Sequence, residues 1–235
     1  MGESESNSPH ILGPHGKIVS ITFCSAGQLR MRKIVLRSRA RVTIKYPGLK
    51  PSRMVECESP HERNLCRLLD IDPSVTMYTE QPCEIVYLLD GRERRHYPDF
   101  KVDGSGARLR EVKQRDEAYS SEVHERTCLL SEELPYYGYS YEVEIAEELA
   151  KQPRLGIATL ILRFGRRSIS QFEREFVRRK FSLSGSLTWG GACAGILGPY
   201  GRELLCRLII EGVLTIDFNR AISSSTAFSL RNGEF

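Results

Sequence analysis

The chain has 235 residues, of which 40% are hydrophobic, and its formal net charge is +4 from 34 basic and 30 acidic side chains. That hydrophobic content suffices for a packed core, and the charge is compatible with a polyanionic partner without requiring one. Seven scattered cysteines without a CxxC pair argue against a disulfide framework or a zinc ribbon, and no apolar run reaches the roughly 18 residues that span a bilayer, so we expect a cytoplasmic protein with no membrane partner.

The N-terminal region is polar at first and then basic. Residues 1–16 are rich in Ser, Gly and Pro, which predicts a disordered lead. Between residues 17 and 42, short apolar stretches alternate with Arg and Lys, which predicts little regular structure apart from one strand around Ile34 to Leu36. This basic run is typical of a solvated arm, and contact with phosphates remains the alternative.

A helix start is encoded just after this arm. Ser59 is a good N-cap, Pro60 suits the first helical position, and Glu62 stands where a capping box places its carboxylate. Leucines at helical spacing follow, and the helix is predicted to end between Asp70 and Pro73.

The next part of the chain alternates between strands and turns. Strands are predicted at residues 74–79, 83–89, 94–102, 107–113 and 139–143, and a helix at 120–134. Asp90-Gly91 and Asp103-Gly104 mark two of the turns. One helix, a meander, then a helix and a strand predict an α/β or α+β core from about residue 50 to 150.

The composition changes after Gln152. Helices are predicted at residues 155–164, 169–181, 191–197 and 200–211, and strands around 187 and at 214–218 and 227–230. Two short helices followed by a two-stranded hairpin are the plan of a winged helix. The predicted domains are therefore a lead at 1–16, an α/β domain at 17–152 and a winged-helix-like domain at 153–235.

Three residues of the meander are candidates for a metal-dependent catalytic site. Glu111 and Lys113 are two residues apart on a strand, so their side chains leave the same face. A hairpin centred on residue 105 places Asp99 opposite Glu111, with Cβ atoms about 5 Å apart. Two carboxylates so close repel each other unless a cation lies between them.

Oxygen ligands of this kind suit Mg²⁺ or Mn²⁺, which lower the pKa of a bound water and neutralise a phosphate. Lys113 then positions or deprotonates the attacking water, or stabilises the phosphate. Two plainer interpretations remain open: Lys113 pairs with Glu111 or Asp99 as a surface ion group, and Glu62 only caps its helix. No GxSxG, P-loop or GxGxxG motif is present, which argues against a hydrolase elbow or a nucleotide site.

The order of these motifs resembles TnsA-type endonucleases of the PD-(D/E)xK nuclease superfamily. The resemblance runs from about Arg53 to the C-terminus and rests on the following segments: Glu58-Ser59-Pro60-His61-Glu62, Leu69-Asp70-Ile71-Asp72-Pro73-Ser74-Val75, Tyr78-Thr79-Glu80-Gln81-Pro82, Tyr97-Pro98-Asp99-Phe100 and Glu111-Val112-Lys113. It implies a restriction-endonuclease-like mixed sheet with flanking helices, followed by a winged-helix domain.

The resemblance also implies roles for residues. Glu62, Asp99 and Glu111 become ligands of a pair of Mg²⁺ or Mn²⁺ ions, with Asp99 bridging them, and Lys113 becomes the catalytic lysine. The best-known member of the family has Gln where Glu111 stands, a departure that bears on metal affinity.

The partners implied by the family are the double-stranded DNA of transposon ends, a TnsB-like DDE transposase, and a TnsC-like ATPase contacted through the C-terminal domain. The expected activity is cleavage of the 5′, non-transferred strands. A restriction or repair nuclease of the same superfamily and a non-catalytic DNA-binding bridging subunit are the two alternatives. The predicted helix at 200–211 has two Arg against two Glu, which favours protein contact over base readout for the winged helix.

Overall fold

The computed structural model describes residues 11–25, 27–28, 30–31 and 43–231. The chain divides into two compact units: unit 1 consists of Met1–Arg63 and Ser74–Leu149, and unit 2 consists of Asn64–Pro73 and Ala150–Phe235. The division at Leu149 lies next to the change in composition. Unit 2 also includes the segment Asn64–Pro73, which no composition signal marks.

The fold is mixed α/β, with several sheets and helices. The strands are β1 (Ile11–Leu12), β2 (Ile18–Phe23), β3 (Ile44–Pro47), β4 (Met54–Cys57), β5 (Val75–Glu80), β6 (Cys83–Leu89), β7 (Arg92–His96), β8 (Phe100–Gly104), β9 (Ala107–Lys113), β10 (Tyr139–Ile145), β11 (Leu187–Thr188), β12 (Leu214–Thr215) and β13 (Ala227–Leu230). The helices are α1 (Pro60–Ile71), α2 (Arg115–Ala118), α3 (Ser121–Glu133), α4 (Ala146–Leu149), α5 (Arg154–Gly165), α6 (Gln171–Ser184), α7 (Trp189–Cys193) and α8 (Gly201–Ile210). None of the helices that the structure describes is long and apolar enough to cross a membrane.

Unit 1 contains two four-stranded sheets and a small two-stranded one. The first sheet has the order β1-β2-β6-β7 and is antiparallel throughout. The second has the order β10-β9-β8-β5, in which β10 runs parallel to β9 and the other pairs are antiparallel. After β5 the chain therefore crosses to the first sheet between β5 and β6 and returns to the second between β7 and β8.

The two predicted hairpins of the meander are confirmed, although Asp103 and Gly104 belong to β8 and the second turn lies at Ser105-Gly106. Asp90 and Gly91 have φ values of 53° and 70°, the left-handed backbone of a two-residue type I′ turn between β6 and β7. In the second hairpin Phe100 pairs with Arg110 and Val102 with Arg108, which is the predicted register about residue 105.

A single apolar cluster joins both sheets of unit 1 to helix α3. Ser120 caps this helix by accepting a hydrogen bond from the N–H of Val123. The buried cluster comprises Ile18, Ile21, Cys83, Ile85, Tyr87, Leu109, Leu129, Leu130, Leu134 and Tyr141. The buried face of β9 therefore changes from the apolar Leu109 to the polar Glu111, so Glu111 lies directly beside the apolar core.

Unit 2 is built on the packing of α5 against α8. A Cβ on Gly165 would lie 2.9 Å from the backbone carbon of Cys206, so only glycine allows the two helices to approach this closely. Helix α6 begins with a complete capping box between Ser170 and Glu173. Strand β13 pairs with both β11 and β12, which closes a three-stranded sheet after α8.

The N-terminal expectations were partly wrong. Ile11 and Leu12, inside the segment expected to be disordered, pair with β2, and β2 itself lies in the stretch expected to lack regular structure. Its Ile21 is fully buried opposite Ile85 of β6, a partner too distant in sequence for a local pattern to reveal. The strand predicted around Ile34 to Leu36, like residues 1–10 of the lead, lies outside the described residues.

Three element boundaries also differ from the prediction. The strand expected at 94–102 is two strands, β7 and β8, because Pro98 lacks the N–H that a continuous ladder needs. The helix expected at 191–197 is α7, which stops at Cys193 ahead of Gly195 at φ 85°. The strand expected at 214–218 is only β12, because Asp217 turns the chain by accepting the Asn219 N–H.

Candidate functional site

The four predicted site residues meet in one cleft of unit 1. Glu62 comes from the first turn of α1, Asp99 from the segment before β8, and Glu111 and Lys113 from β9. The cleft has a volume of about 450 Å³. Because three strands, β5 to β7, separate Glu62 from Asp99 along the chain, only the folded chain brings the helix carboxylate to the hairpin.

The cleft lies where the chain passes between the two sheets. The passage from β5 to β6 contains Gln81, and the passage from β7 to β8 contains Asp99. The Gln81 N–H donates to the Asp99 carbonyl at 2.8 Å, which ties the two passages together. Gln81 has a φ of 41°, unusual for a residue other than glycine, and such a backbone is often found at functional sites.

Glu62 is held by the start of its own helix. Its carboxylate accepts the Glu58 N–H at 2.7 Å and the Ser59 hydroxyl at 3.0 Å, while the Ser59 oxygen accepts the Glu62 N–H at 3.1 Å. The capping interpretation is therefore correct, with the backbone contact one residue earlier than in a standard capping box. Burial, followed by the nearby charge of Glu58, raises the pKa of Glu62 in spite of these hydrogen bonds.

Asp99 is the most perturbed carboxyl of the cleft. Its Oδ2 accepts the Val112 N–H at 2.7 Å, which joins it to β9 beside Glu111. Part of Asp99 stays open to the cleft, yet its carboxyl is deep enough that burial, and then the charge of Glu62, raise its pKa to about 8. A carboxyl in this state favours a proton or a metal cation as its partner.

Glu111 is enclosed by donors. Its Oε1 lies 2.9 Å from Lys113 Nζ, and its Oε2 accepts from Arg126 of α3 at 2.7 Å and from the hydroxyl of Tyr141. Burial raises the pKa of Glu111, but the surrounding positive charge and the Tyr141 hydrogen bond lower it further, and the net effect is a lowered pKa. The pKa of His96 is lowered to about 4 by burial, so Arg126 and Lys113 supply that positive charge near pH 7.

Lys113 is a stable cation in this setting. Burial lowers its pKa, but the ion pair with Glu111 raises it more, so the net pKa lies above the ordinary value. The Lys113 side chain lines the cleft and is 29% exposed. Lys113 is therefore suited to donating hydrogen bonds and charge, and not to taking a proton from water.

Several cleft residues were missed by the sequence reasoning. They are Glu58, Gln81, His96, Arg126 and Tyr141, all of which line the cleft or contact Glu111 directly. Glu58 and Gln81 stand inside motifs that were recognised, and the Gln81 Nε2 donates to Glu58 Oε1 at 2.6 Å. Nothing in the local sequence distinguishes Arg126 from other arginines on exposed helices.

The donor set fits a hard divalent cation. Across the described ranges, no three His, Cys, Asp or Glu side chains are already grouped to hold a metal ion, because Glu62 and Glu111 are turned onto donors of the protein. The carboxylates of Glu62, Asp99 and Glu111 nevertheless line the cleft, and Gln81 Oε1 is buried without a hydrogen-bond partner in the described part of the chain. An orphaned amide oxygen beside crowded carboxylates is the chemistry that Mg²⁺ or Mn²⁺ satisfies.

Comparison with known proteins adds no family to this picture. No protein-family model matches the sequence, and no curated protein matches it. The resemblance to TnsA-type endonucleases therefore rests on the order of motifs in the sequence.

Proposed function

We propose that the protein is a metal-dependent DNA endonuclease that cleaves the 5′ strands at transposon ends as a subunit of a heteromeric transposase. The observation that carries the proposal is the convergence of Glu62, Asp99, Glu111 and Lys113 on one cleft of unit 1. An acidic cluster with one lysine at its edge is suited to phosphodiester hydrolysis, and few other chemistries require it.

The topology supports a restriction-endonuclease-like fold for unit 1. In its second sheet β9 carries Glu111-Val112-Lys113 and pairs with β8, which Asp99 directly precedes, and the start of a helix supplies the Glu62 carboxylate. In unit 2, helices α7 and α8 followed by strands β12 and β13 support a winged helix.

The cleft residues divide into metal ligands and a phosphate-binding lysine in this proposal. Glu62, Asp99 and Glu111 would hold Mg²⁺ or Mn²⁺, which when bound neutralises the phosphate and lowers the pKa of a water. Lys113, held protonated by Glu111, donates to a phosphate oxygen as negative charge develops there. The Val112 N–H holds Asp99 Oδ2 and so keeps that carboxylate facing the cleft.

The partners proposed are those of the family likeness: transposon-end DNA, a TnsB-like transposase and a TnsC-like ATPase that contacts the C-terminal domain. Unit 2 supports protein contact because its helix α8 is largely buried, with only Arg202 and Arg207 as basic residues against Glu203. A recognition helix that reads bases is expected to be more basic.

The deciding experiment replaces Asp99 by Ala in the assembled transposase. We expect Mg²⁺-dependent 5′ nicking to fall by about a thousandfold or more, since several kcal/mol of transition-state stabilisation are lost. Asp103→Ala is the matched control, because Asp103 pairs with Lys101 at 2.9 Å and does not line the cleft. Circular dichroism of both variants checks the fold.

Two outcomes would contradict the proposal. Unchanged 5′ cleavage by Asp99→Ala would show that the cleft is not the catalytic site and favour a non-catalytic bridging subunit. Strong cutting by the isolated protein, with no transposase present, would instead favour a restriction or repair nuclease.

A further inference from the structure

Arg126 occupies the rear of the cleft, and neither the motifs nor the proposed mechanism gives it a role. Its guanidinium donates to Glu111 Oε2 at 2.7 Å, and only 12% of its side chain is exposed. Tyr141 donates to the same oxygen and lies 2.9 Å from His96 Nε2. Three elements, α3, β10 and β7, therefore converge on one oxygen of one carboxylate.

The other oxygen of Glu111 is placed differently. Oε1 is 2.9 Å from Lys113 Nζ, on the cleft side, and Lys113 is the more exposed of the two cations that contact Glu111. A ligand that attracted Lys113 would release Oε1, whereas Oε2 would stay on Arg126 and Tyr141. The two oxygens of Glu111 thus have separate partners, one fixed by the core and one replaceable.

The charges around Glu111 affect how strongly the cleft can bind a cation. Arg126 and Lys113 both contact the single negative charge of Glu111, so the three groups together keep one excess positive charge in the cleft that Glu62 and Asp99 also line. A buried cation near a metal site weakens cation binding, because like charges repel most strongly where water is excluded. If Arg126 only anchored Glu111, its removal would misplace Glu111 and weaken cation binding. If Arg126 also repels cations, its removal strengthens cation binding.

We propose that Arg126 is a positioning residue that fixes Glu111 through one oxygen and, by neutralising it, limits the affinity of the cleft for divalent cations. The inference rests on the proposed metal-dependent nuclease. Arg126 holds the carboxylate in place for catalysis and keeps the cation exchangeable. Glu111 together with Arg126 then presents the cleft with about the charge that a neutral glutamine would present.

The test is Mn²⁺ binding to the full chain, measured by titration calorimetry and by the paramagnetic resonance signal of free Mn²⁺. We expect Arg126→Gln to bind Mn²⁺ about tenfold more tightly and Glu111→Gln about tenfold more weakly than the wild type. The double variant should return to within about threefold of the wild type, because both charges of the pair are then absent.

The controls separate charge from contact. Arg126→Lys keeps the charge and should bind Mn²⁺ within about threefold of the wild type. Arg110→Gln removes an arginine of the same strand as Glu111 that faces the other side of the sheet, where it pairs with Glu142 at 3.0 Å and Glu144 at 2.8 Å. Its Mn²⁺ affinity should change by no more than about twofold.

Weaker or unchanged Mn²⁺ binding by Arg126→Gln would overturn the inference and leave Arg126 as an anchor only. If Arg126→Gln does not fold, the double variant is compared with Glu111→Gln: tighter binding by the double variant supports the inference, and equal or weaker binding overturns it. Asp99→Ala separates the two levels of the proposal. If Asp99→Ala still binds Mn²⁺ as the wild type does, both the proposed metal site and the inference are overturned. If Asp99→Ala loses Mn²⁺ binding, the metal site stands, and a contrary result for Arg126→Gln overturns the inference alone.

Discussion

The two units of the chain differ in net charge and in the number of polar side chains that they bury. Unit 1 has 20 basic and 22 acidic residues, a net charge of −2, and unit 2 has 14 and 8, a net charge of +6, which together give the +4 of the chain. Among the residues that the structure describes, unit 1 nevertheless buries more polar side chains than unit 2 does. Its buried polar residues are Glu80, Gln81, His96 and Glu111, and those of unit 2 are Asn64 and Asp70.

The surface of unit 2 carries its charge mainly as local ion pairs. Arg178 and Arg179 share Glu175 along helix α6, and Arg220 pairs with Asp217 at 3.5 Å. Exposed pairs of this kind contribute little to stability, so unit 2 depends on its apolar core. In unit 1, by contrast, carboxylates lie close together in a partly buried cleft, an arrangement that lowers stability and is common at functional sites.

The largest effect expected from this contrast concerns the core of unit 2. Leu205 is fully buried on α8, so Leu205→Ala should lower the free energy of unfolding by about 2–5 kcal/mol through lost burial and a cavity. Leu183→Ala is the matched control, because Leu183 is 85% exposed and its loss should change stability by about 0.5 kcal/mol or less. Urea unfolding measures both, and equal effects would contradict an apolar core as the main support of unit 2.

The next effect concerns the pH dependence of cation binding in unit 1. Asp99, with a pKa of about 8, must lose its proton before it binds a cation. Mn²⁺ affinity should therefore rise about tenfold per pH unit from pH 6 and level off above about pH 8. Calorimetric titrations in two buffers of different ionisation enthalpy would count the released protons. A flat affinity over this range would show that Asp99 is not a ligand.

A smaller effect is expected on the stability of the metal-free protein. Folding raises the pKa of Asp99 from 3.8 to about 8, so the wild type loses stability as the pH rises between these values. Asp99→Asn removes that loss and keeps an oxygen for the Val112 N–H, so it should stabilise the metal-free protein by about 1–3 kcal/mol at pH 7.

The gain from Asp99→Asn should be much smaller at pH 5 than at pH 7.5, as thermal unfolding in the two buffers would show. Asp103→Asn, which removes a carboxylate outside the cleft, should show no such pH-dependent gain. If Asp99→Asn were instead less stable than the wild type, the ionised Asp99 carboxylate would not destabilise the fold, and the contrast between the units would be wrong.

Local sequence determined a large part of unit 1. The bounds of β6 and β9, a turn at Asp90-Gly91 and the register about residue 105 were all predicted, because strand pairing across a short hairpin is set by alternation and turn chemistry. The proximity of Asp99, Glu111 and Lys113 follows from that register alone. The Ser59 cap, which orients Glu62, was equally local.

Only the tertiary structure decided what surrounds those residues. Strand β2 pairs with β6 across more than sixty residues, and the chain changes sheet at Gln81 and again before Asp99. Arg126, Tyr141 and His96 reach Glu111 from a helix and two other strands, with no periodicity that marks them in the sequence. Spacing along a strand therefore established which carboxylates are neighbours, whereas their charge state depends on burial and on partners distant in sequence, which only the packed fold brings into contact.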